Sequence, residues 1–206
     1  MQRLRRECSW KREQTHRSLQ RYLLEETHEA LEAIDAGADS GDWSGLREEL
    51  GDVLLQVVFH AVIAEESGAF DLDEVLAGIT AKMIRRNPHV FDPEGAGRDA
   101  AGLDADAVNE LWQQMKAAEK AQEPEHPEHP EQMAAGQDVL PPGLPALLAA
   151  DKTLERRDRA GRPIAPDPSS TDVGERLLAL VAEARAEGRD AEQALRDAVR
   201  RHGTRD

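Results

Sequence analysis

Two stretches of the chain decide its fold: residues 19–34 read LQRYLLEETHEALEAI, and residues 46–62 read LREELGDVLLQVVFHAV. In both stretches apolar residues recur three or four positions apart, which places them on one face of an α-helix. The first pattern extends over residues 15–36 and the second over residues 44–66. The sequence therefore predicts two long amphipathic helices.

Glycine and serine residues mark the ends of these helices. Gly37 and Gly41 follow the first helix, Ser44 is of the type that caps a helix N-terminus, and Gly68 stands where the second pattern stops. The residues from Gly37 to Trp43 then form a seven-residue loop. A loop this short makes the two helices antiparallel neighbours.

Further helices are predicted downstream, and strand signals are almost absent. Asp71 and Glu74 have the spacing of a capping box, which starts a third helix that ends before Pro88. A fourth helix is predicted over residues 104–121. Aromatic residues make up only 3% of the chain, and no stretch alternates apolar and polar residues over several positions. The predicted fold class is all-α.

Composition divides the chain into three parts. Residues 1–121 contain the four helices described above, and residues 122–143 are rich in Pro, Glu and His, as in a linker. Residues 144–206 contain three more helical runs, at 144–160, 172–187 and 190–202. These runs resemble a degenerate copy of the second and third helices, shortened by the loss of the first.

The charge of the chain is concentrated in one segment. The 206 residues include 26 Lys and Arg against 41 Asp and Glu, a net charge of −15. Residues 23–80 hold 15 acidic residues and one basic residue, Arg47, and so contribute −14. Non-specific nucleic-acid binding depends on clustered cations, so this composition argues against a general nucleic-acid binder.

No targeting or membrane segment is expected. The N-terminus lacks an apolar stretch after its arginines, and the most apolar segment, Val53 to Ala64, is too short and too polar to span a bilayer. A single cysteine, Cys8, cannot form an internal disulfide. The expected protein is soluble and cytoplasmic.

The acidic segment contains two pairs of carboxylates at helical spacing. Glu26 and Glu29 lie three apart on the first long helix, and Glu49 and Asp52 lie three apart on the second. Residues three apart share a helix face, so antiparallel packing can bring the four together. Convergent carboxylates need a cation, and an all-oxygen ligand set favours Mg²⁺ or Mn²⁺. The alternative is a solvated acidic surface.

Cations and a tryptophan follow downstream. Lys82, Arg85 and Arg86 cluster at the end of the third helix, where they could contact phosphates or simply complement the helix dipole. Trp112 has Lys116 one turn later. This pair suits base stacking beside an anionic group, and a core position for the tryptophan is the alternative.

The motifs resemble one known family. Residues 25–29 read EETHE and residues 49–52 read ELGD, which resembles the EExxE and ExxD signature of the MazG nucleoside triphosphate pyrophosphohydrolases. The sequences on either side of these motifs also resemble those of the family: residues 8–15 read CSWKREQT and residues 85–91 read RRNPHVF. The resemblance covers residues 8 to about 120.

The resemblance implies a MazG-like helical bundle that hydrolyses a nucleoside triphosphate, with Mg²⁺, to the monophosphate and pyrophosphate. Such enzymes often act on non-canonical nucleotides. It implies metal binding by Glu26, Glu29, Glu49 and Asp52. Glu25 or Glu48 would orient the water or tune the metal's surroundings, so the predicted catalytic residues are Glu25, Glu26, Glu48 and Glu49. Lys82, Arg85 and Arg86 would contact the triphosphate, with Trp112 and Lys116 beside the base.

Other interpretations stay open. The C-terminal copy lacks a helix with EExxE, and Val173 and Arg176 occupy its second-pair positions, so activity resides in the first copy or is lost. A non-catalytic nucleotide-binding or dimerisation module is the alternative. A di-iron centre would need a second Glu-x-x-His besides Glu25-x-x-His28.

A homodimer is also predicted. The first two long helices carry more apolar surface than a lone helical hairpin can bury, and a second copy of the chain would complete the core.

Overall fold

The computed structural model describes residues 1–91, 104–122, 140–141 and 143–203. The chain forms two compact units, Met1–Pro124 and Glu125–Asp206. Every regular element in the described residues is a helix, which confirms the all-α prediction.

The described part of the first unit contains seven helices. They are α1 (Gln2–Glu7), α2 (Ser9–Glu13), α3 (His16–Ser40), α4 (Ser44–Ser67), α5 (Leu72–Arg86), α6 (Pro88–Phe91) and α7 (Ala105–Gln122). The four predicted helices correspond to α3, α4, α5 and α7. The short helices α1, α2 and α6 were not predicted, because four to six residues are too few to show a period.

The two long helices, α3 and α4, form an antiparallel hairpin. A capping box between Thr15 and Ser18 starts α3, and Gly41, with φ of 77°, ends it in the left-handed conformation. Two predicted boundaries are wrong: α3 continues four residues beyond position 36, and Ser44 is the first helical residue rather than the N-cap, which is Trp43. The connection therefore has three residues, 41–43, instead of seven.

Gly37 explains the error at the end of α3. It lies inside the helix and is buried, and the ring of Trp43 packs directly on its backbone. A Cβ atom at position 37 would lie 2.5 Å from Cε3 of Trp43. This glycine is needed for a close approach of the ring rather than for helix termination.

The core of the first unit lies between α3 and α4. Its most buried large side chains are Leu19 and Phe59, and the small residues Ala61 and Ala64 of α4 are also buried. Beside this core the Nδ1 atoms of His16 and His60 lie 2.8 Å apart. Burial, and then the neighbouring His16, lower the pKa of His60. A neutral imidazole therefore suits this contact between the helices.

The N-terminal helices are fastened to α4 by Arg5, which is only 8% exposed. Its guanidinium forms a bidentate ion pair with Glu66 and donates to the carbonyl oxygens of Lys11, Arg12 and Gln14. Glu66 keeps the pKa of Arg5 raised, and the ion pair lowers the pKa of Glu66. One buried side chain thus holds α1 and α2 against the hairpin.

The third long element, α5, begins with the predicted capping box between Asp71 and Glu74. It ends at Asn87, and Pro88 is the first residue of α6. Helix α7 packs against α5 and brings its own side chains to the C-terminal end of that helix.

The second unit contains three helices among its described residues, α8 (Ala146–Arg159), α9 (Val173–Ala186) and α10 (Ala191–Gly203). Leu154 and Val181 are its buried apolar residues, and Arg185 forms ion pairs with Asp151 and Asp158. The predicted linker lies almost wholly outside the described residues. The degenerate-repeat interpretation of residues 144–206 stays a prediction.

Within the described ranges no single helix is long and apolar enough to cross a membrane. Only α4 and α5 taken together meet the length and composition criteria, and these two helices are bent by 118° at their junction.

The contact between Gly37 and Trp43 predicts a pair of opposite stability effects. Gly37→Ala should lower the free energy of unfolding by about 1–3 kcal/mol, because the new methyl group displaces the indole ring. Gly78→Ala lies in the middle of α5, where an added methyl group would meet no other side chain within 4 Å. This change should raise the free energy of unfolding by up to about 1 kcal/mol through helix propensity. Urea unfolding measures both, and equal stabilisation by the two changes would contradict the contact.

Candidate functional site

The α3–α4 hairpin brings acidic side chains from both helices to one place. Glu26 projects from α3, while Glu49 and Asp52 project from α4. Each offers a carboxylate oxygen, and these oxygens all lie within 4.8 Å of one another. Among the described residues this is the one group of three or more acidic, His or Cys side chains with such spacing. Three of the four predicted metal ligands therefore meet.

The cluster is electrostatically unfavourable without a cation. Burial raises the pKa of Glu26, and the charges of Asp52 and Glu29 raise it further. Burial also raises the pKa of Glu49, followed by the charges of Glu29, Asp52 and Glu48. Glu29 thus lies close enough to influence carboxylates on both helices, which places the fourth predicted ligand at the edge of the cluster.

The remaining predicted catalytic residues lie at the rim. Glu25 and Glu48 are exposed, and each directly precedes a member of the cluster, Glu26 or Glu49. Glu48 contributes to the raised pKa of Glu49. Both side chains are therefore open to solvent beside the carboxylates.

Gln56 is a member of the site that sequence reasoning missed. It is 5% exposed, and its Nε2 lies 3.5 Å from Oε1 of Glu26. Its own Oε1 is buried and has no hydrogen-bond partner among the described residues. A signal was present in the sequence, because Gln56 follows Asp52 by four residues and so lies on the same face of α4.

The donor set fits a hard divalent cation. The cluster supplies several carboxylate oxygens at mutual distances that a single ion can bridge, and no thiol or imidazole belongs to it. The raised pKa values of Glu26 and Glu49 reflect, beside burial, the like-charge repulsion that a bound cation would relieve. We conclude that the residues present are suited to hold a metal ion through oxygen ligands.

The predicted cations divide into two groups. Arg85 and Arg86 both bind Glu119 of α7, with Arg85 Nε 2.5 Å from Oε1 and Arg86 Nε 2.9 Å from Oε2. Hydrogen bonds from Arg86 and then from Arg85 lower the pKa of Glu119 to about 2. Lys82 is half-buried and forms no ion pair with any residue in the described ranges. Glu119 was missed, because 33 residues separate it from Arg86.

The predicted base-side pair is only partly described. Trp112 is half-buried, and the guanidinium carbon of Arg86 lies 5.3 Å from the centroid of its ring. One face of this indole is therefore occupied by a cation of the protein itself. The side chain of Lys116 lies outside the described residues. The substrate-binding roles of these residues stay predictions.

Comparison with known proteins identifies the class of this fold and site. The family model described as the MazG nucleotide pyrophosphohydrolase domain matches residues 14–91. This segment contains both carboxylate pairs and the three cations at the end of α5, and it ends before Trp112. The chain belongs to the MazG family.

Individual relatives agree with this classification. A protein of Streptomyces cacaoi, named as an uncharacterized 26.1 kDa protein, is 41% identical over 201 residues, which is 97% of this chain and 75% of the relative. The nucleoside triphosphate pyrophosphohydrolase of Escherichia coli K12 is 40% identical over 78% of this chain and 56% of its own length. The nucleoside triphosphate pyrophosphohydrolase/pyrophosphatase MazG of Thermotoga maritima is 48% identical over 55% of this chain and 39% of its own length. The matched part of the chain thus spans 56% of the E. coli enzyme and 39% of the T. maritima enzyme.

The cluster predicts that removal of one carboxylate raises stability without metal and abolishes the stabilisation by metal. In EDTA, Glu49→Gln should raise the thermal unfolding midpoint by about 2–4 °C, because it removes repulsion from Glu29, Asp52 and Glu48. Added Mg²⁺ should then stabilise the unmodified protein but not the variant. Glu65→Gln, at the far end of α4, serves as the control and should keep the response to Mg²⁺. A Glu49→Gln protein with the full response would remove Glu49 from the site.

Proposed function

We propose that this protein is a Mg²⁺-dependent nucleoside triphosphate pyrophosphohydrolase, which releases the nucleoside monophosphate and pyrophosphate. The observation that carries the proposal is the convergence of Glu26, Glu49 and Asp52 from two antiparallel helices. Membership of the MazG family and the names of the E. coli and T. maritima relatives support it. Mn²⁺ is the alternative ion, since it accepts the same oxygen ligands.

The reaction assigns distinct tasks to the acidic residues. Water attacks the α-phosphorus, the bond from that phosphorus to the α,β-bridging oxygen breaks, and pyrophosphate leaves with the bonding electrons. Glu26, Glu29, Glu49 and Asp52 hold the ion. When bound, the ion offsets the repulsion between the carboxylates and the polyphosphate, and it stabilises the charge on the leaving group. Glu25 or Glu48, both open to solvent, orients the water and accepts its proton.

The cations and the aromatic pair complete the proposed substrate site. Lys82, half-buried and without an acidic partner in the described ranges, would contact the triphosphate. Arg85 and Arg86 would release Glu119 and bind phosphate oxygens instead. The planar guanidinium binds a carboxylate and a phosphate equally well in geometry. Trp112 and Lys116 would lie on the base side of the substrate.

The biological setting is part of the same proposal. We place the enzyme in the cytoplasm, where nucleoside triphosphates are made and used. Removal of non-canonical or excess nucleotides is the role that this activity serves. A panel of nucleotides would identify the preferred base and sugar.

A second candidate function is a non-catalytic nucleotide-binding or dimerisation module. The observation that favours it is the ion pair of Arg85 and Arg86 with Glu119, which keeps two predicted phosphate contacts engaged within the protein. Binding of a nucleotide with Mg²⁺ but without turnover would identify this function.

The proposed activity predicts release of pyrophosphate. Purified protein with Mg²⁺ and a panel of canonical and modified nucleoside triphosphates should produce pyrophosphate and the monophosphate, as measured by a coupled pyrophosphate assay and by chromatography. Glu49→Ala should reduce the rate by at least about a hundredfold, because the ion loses one of its ligands. Glu65→Ala should leave the rate unchanged. Release of orthophosphate instead of pyrophosphate would exclude the proposed reaction.

We also propose a homodimer built on α4 and α5. Apolar side chains at helical spacing are exposed on both helices: Leu50, Leu54 and Val57 on α4, and Leu76, Ile79 and Met83 on α5. Large apolar side chains exposed repeatedly along a helix are typical of a protein–protein interface. A second copy of the chain would cover it and add helices to the bundle.

Light scattering tests the dimer. The unmodified protein should have twice the monomer mass of 22.7 kDa, and Leu54→Asp should give the monomer, because a carboxylate would be buried in the interface. Leu4→Asp, which alters an exposed leucine on α1, is the matched control and should remain dimeric. A monodisperse 22.7 kDa species for the unmodified protein would contradict the proposal.

A further inference from the structure

An exposed aromatic surface lies beside the hairpin, at the N-terminal end of α3. Trp10 of α2 is 46% exposed and contacts Tyr22 of α3, with ring centroids 5.9 Å apart and an interplanar angle of 79°. Lys11 anchors the same segment to α4, since its amino group lies 5.4 Å from the centroid of the buried Phe59 ring. The indole is thus held in one place while nearly half of its surface faces solvent.

This aromatic pair lies next to the carboxylate cluster. Tyr22 precedes Glu26 by four residues, so both lie on one face of α3, about 6 Å apart along its axis. On α4 the order is matched, because Gln56 follows Asp52 by four residues and Phe59 comes three later. The cluster, the Gln56 amide and the aromatic pair therefore follow one another along the hairpin.

Gln56 supplies an independent sign of a ligand. Its side chain is more than nine-tenths buried, its Nε2 faces Glu26, and its Oε1 has no partner among the described residues. A buried acceptor left unpaired costs free energy, so a donor is expected there when the site is filled. The hydroxyl of a sugar is a donor of suitable size.

Four of the neighbouring cations are already engaged, which argues that the surface receives a ring rather than phosphate. Arg5 is bound to Glu66 and to three carbonyl groups, and Arg12 donates to the carbonyl of Arg6. Lys11 lies over the rings of Trp10 and Phe59, and Arg21 lies over Tyr22. Lys11 covers part of the Trp10 ring, and the rest of this side chain stays open to solvent, since Trp10 is 46% exposed.

We propose that Trp10, supported by Tyr22, is a stacking surface for the base of the nucleotide, and that Gln56 Oε1 accepts a hydrogen bond from its sugar. The inference rests on the proposed function, because the triphosphate end is taken to lie at the carboxylate cluster. It assigns a substrate-binding role to α2, which lies outside the segment matched by the family model. Trp10, in place of Trp112, is then the ring that stacks on the base, and it determines how tightly, and with which bases, the site is filled.

Tryptophan fluorescence gives a direct test, because the chain has three tryptophans. One protein keeps only Trp10, through W43F and W112F, and a second keeps only Trp43, through W10F and W112F. The probes are the α,β-methylene analogues of ATP, GTP, CTP and UTP with Mg²⁺, in which the bond to be cleaved cannot break in the usual way. Inorganic tripolyphosphate with Mg²⁺ is the probe without a base.

The expected result is saturable quenching of Trp10 by at least one nucleotide and none by tripolyphosphate. Trp43, which is 49% exposed at the opposite end of the hairpin, should stay unchanged. Quenching of Trp10 by tripolyphosphate to the same extent would overturn the inference and indicate a phosphate site. Nucleotide binding seen by calorimetry with an unchanged Trp10 signal would overturn it as well.

Variants of the full protein give a second readout. Trp10→Ala should raise the nucleotide Kd and KM about ten- to a hundredfold with little change in kcat, as expected for the loss of base stacking. Trp10→Phe keeps an aromatic ring, so its nucleotide Kd and KM should stay within a few fold of those of the unmodified protein. Gln56→Leu removes the amide that faces Glu26 as well as the proposed sugar acceptor, so it should weaken nucleotide binding more than tripolyphosphate binding. Equal KM values for Trp10→Ala and the unmodified protein would overturn the inference.

The two proposals can fail separately. Pyrophosphate release with no effect at Trp10 would overturn the stacking surface and leave the proposed activity standing. Quenching of Trp10 without pyrophosphate release would support the stacking surface and identify a binding module. Absence of nucleotide binding to the unmodified protein, measured by calorimetry with Mg²⁺, would overturn the two together.

Discussion

The central constraint on this structure is that packing α3 against α4 brings together carboxylates that repel one another. Glu26, Glu49 and Asp52 bring their oxygens within 4.8 Å of one another across two helices. Their repulsion opposes the packing of α3 on α4, and the apolar core of the hairpin, with Phe59 and Leu19 at its centre, must outweigh it. A folded protein with such a cluster is one whose stability rises when a cation arrives.

The surroundings of the cluster are built to tolerate this arrangement. The N-terminal helices are fastened to the far end of α4 through Arg5, whose partners are Glu66 and carbonyl groups of the α2 segment. Opposite charges are kept in separate pairs, as with Arg85, Arg86 and Glu119, instead of neutralising the cluster. The acidic hairpin therefore keeps its charge for an external cation, and a polyanion can then bind to an acidic protein through that cation.

Sequence reasoning found what local spacing encodes. The carboxylates of α3 and α4 are three residues apart, and a short connection leaves few ways to pack their helices, so their meeting could be predicted. The end of α3 was misjudged because a glycine signals either termination or close contact, and the ring of Trp43 decides between them only in three dimensions. The pairing of Arg86 with Glu119, and of Trp10 with Tyr22, joins separate helices, and no periodicity reports such contacts.

The packing of Trp43 on Gly37 restricts the length of the connection between α3 and α4. The ring fixes where α4 begins relative to the last turn of α3. One extra residue in positions 41–43 would turn the start of α4 by about 100° about its axis, unless the loop absorbed it. Glu49 and Asp52 would then leave the face that meets Glu26. We therefore expect loop length here to be as restricted as the identity of the acids, although no residue of the loop belongs to the carboxylate cluster.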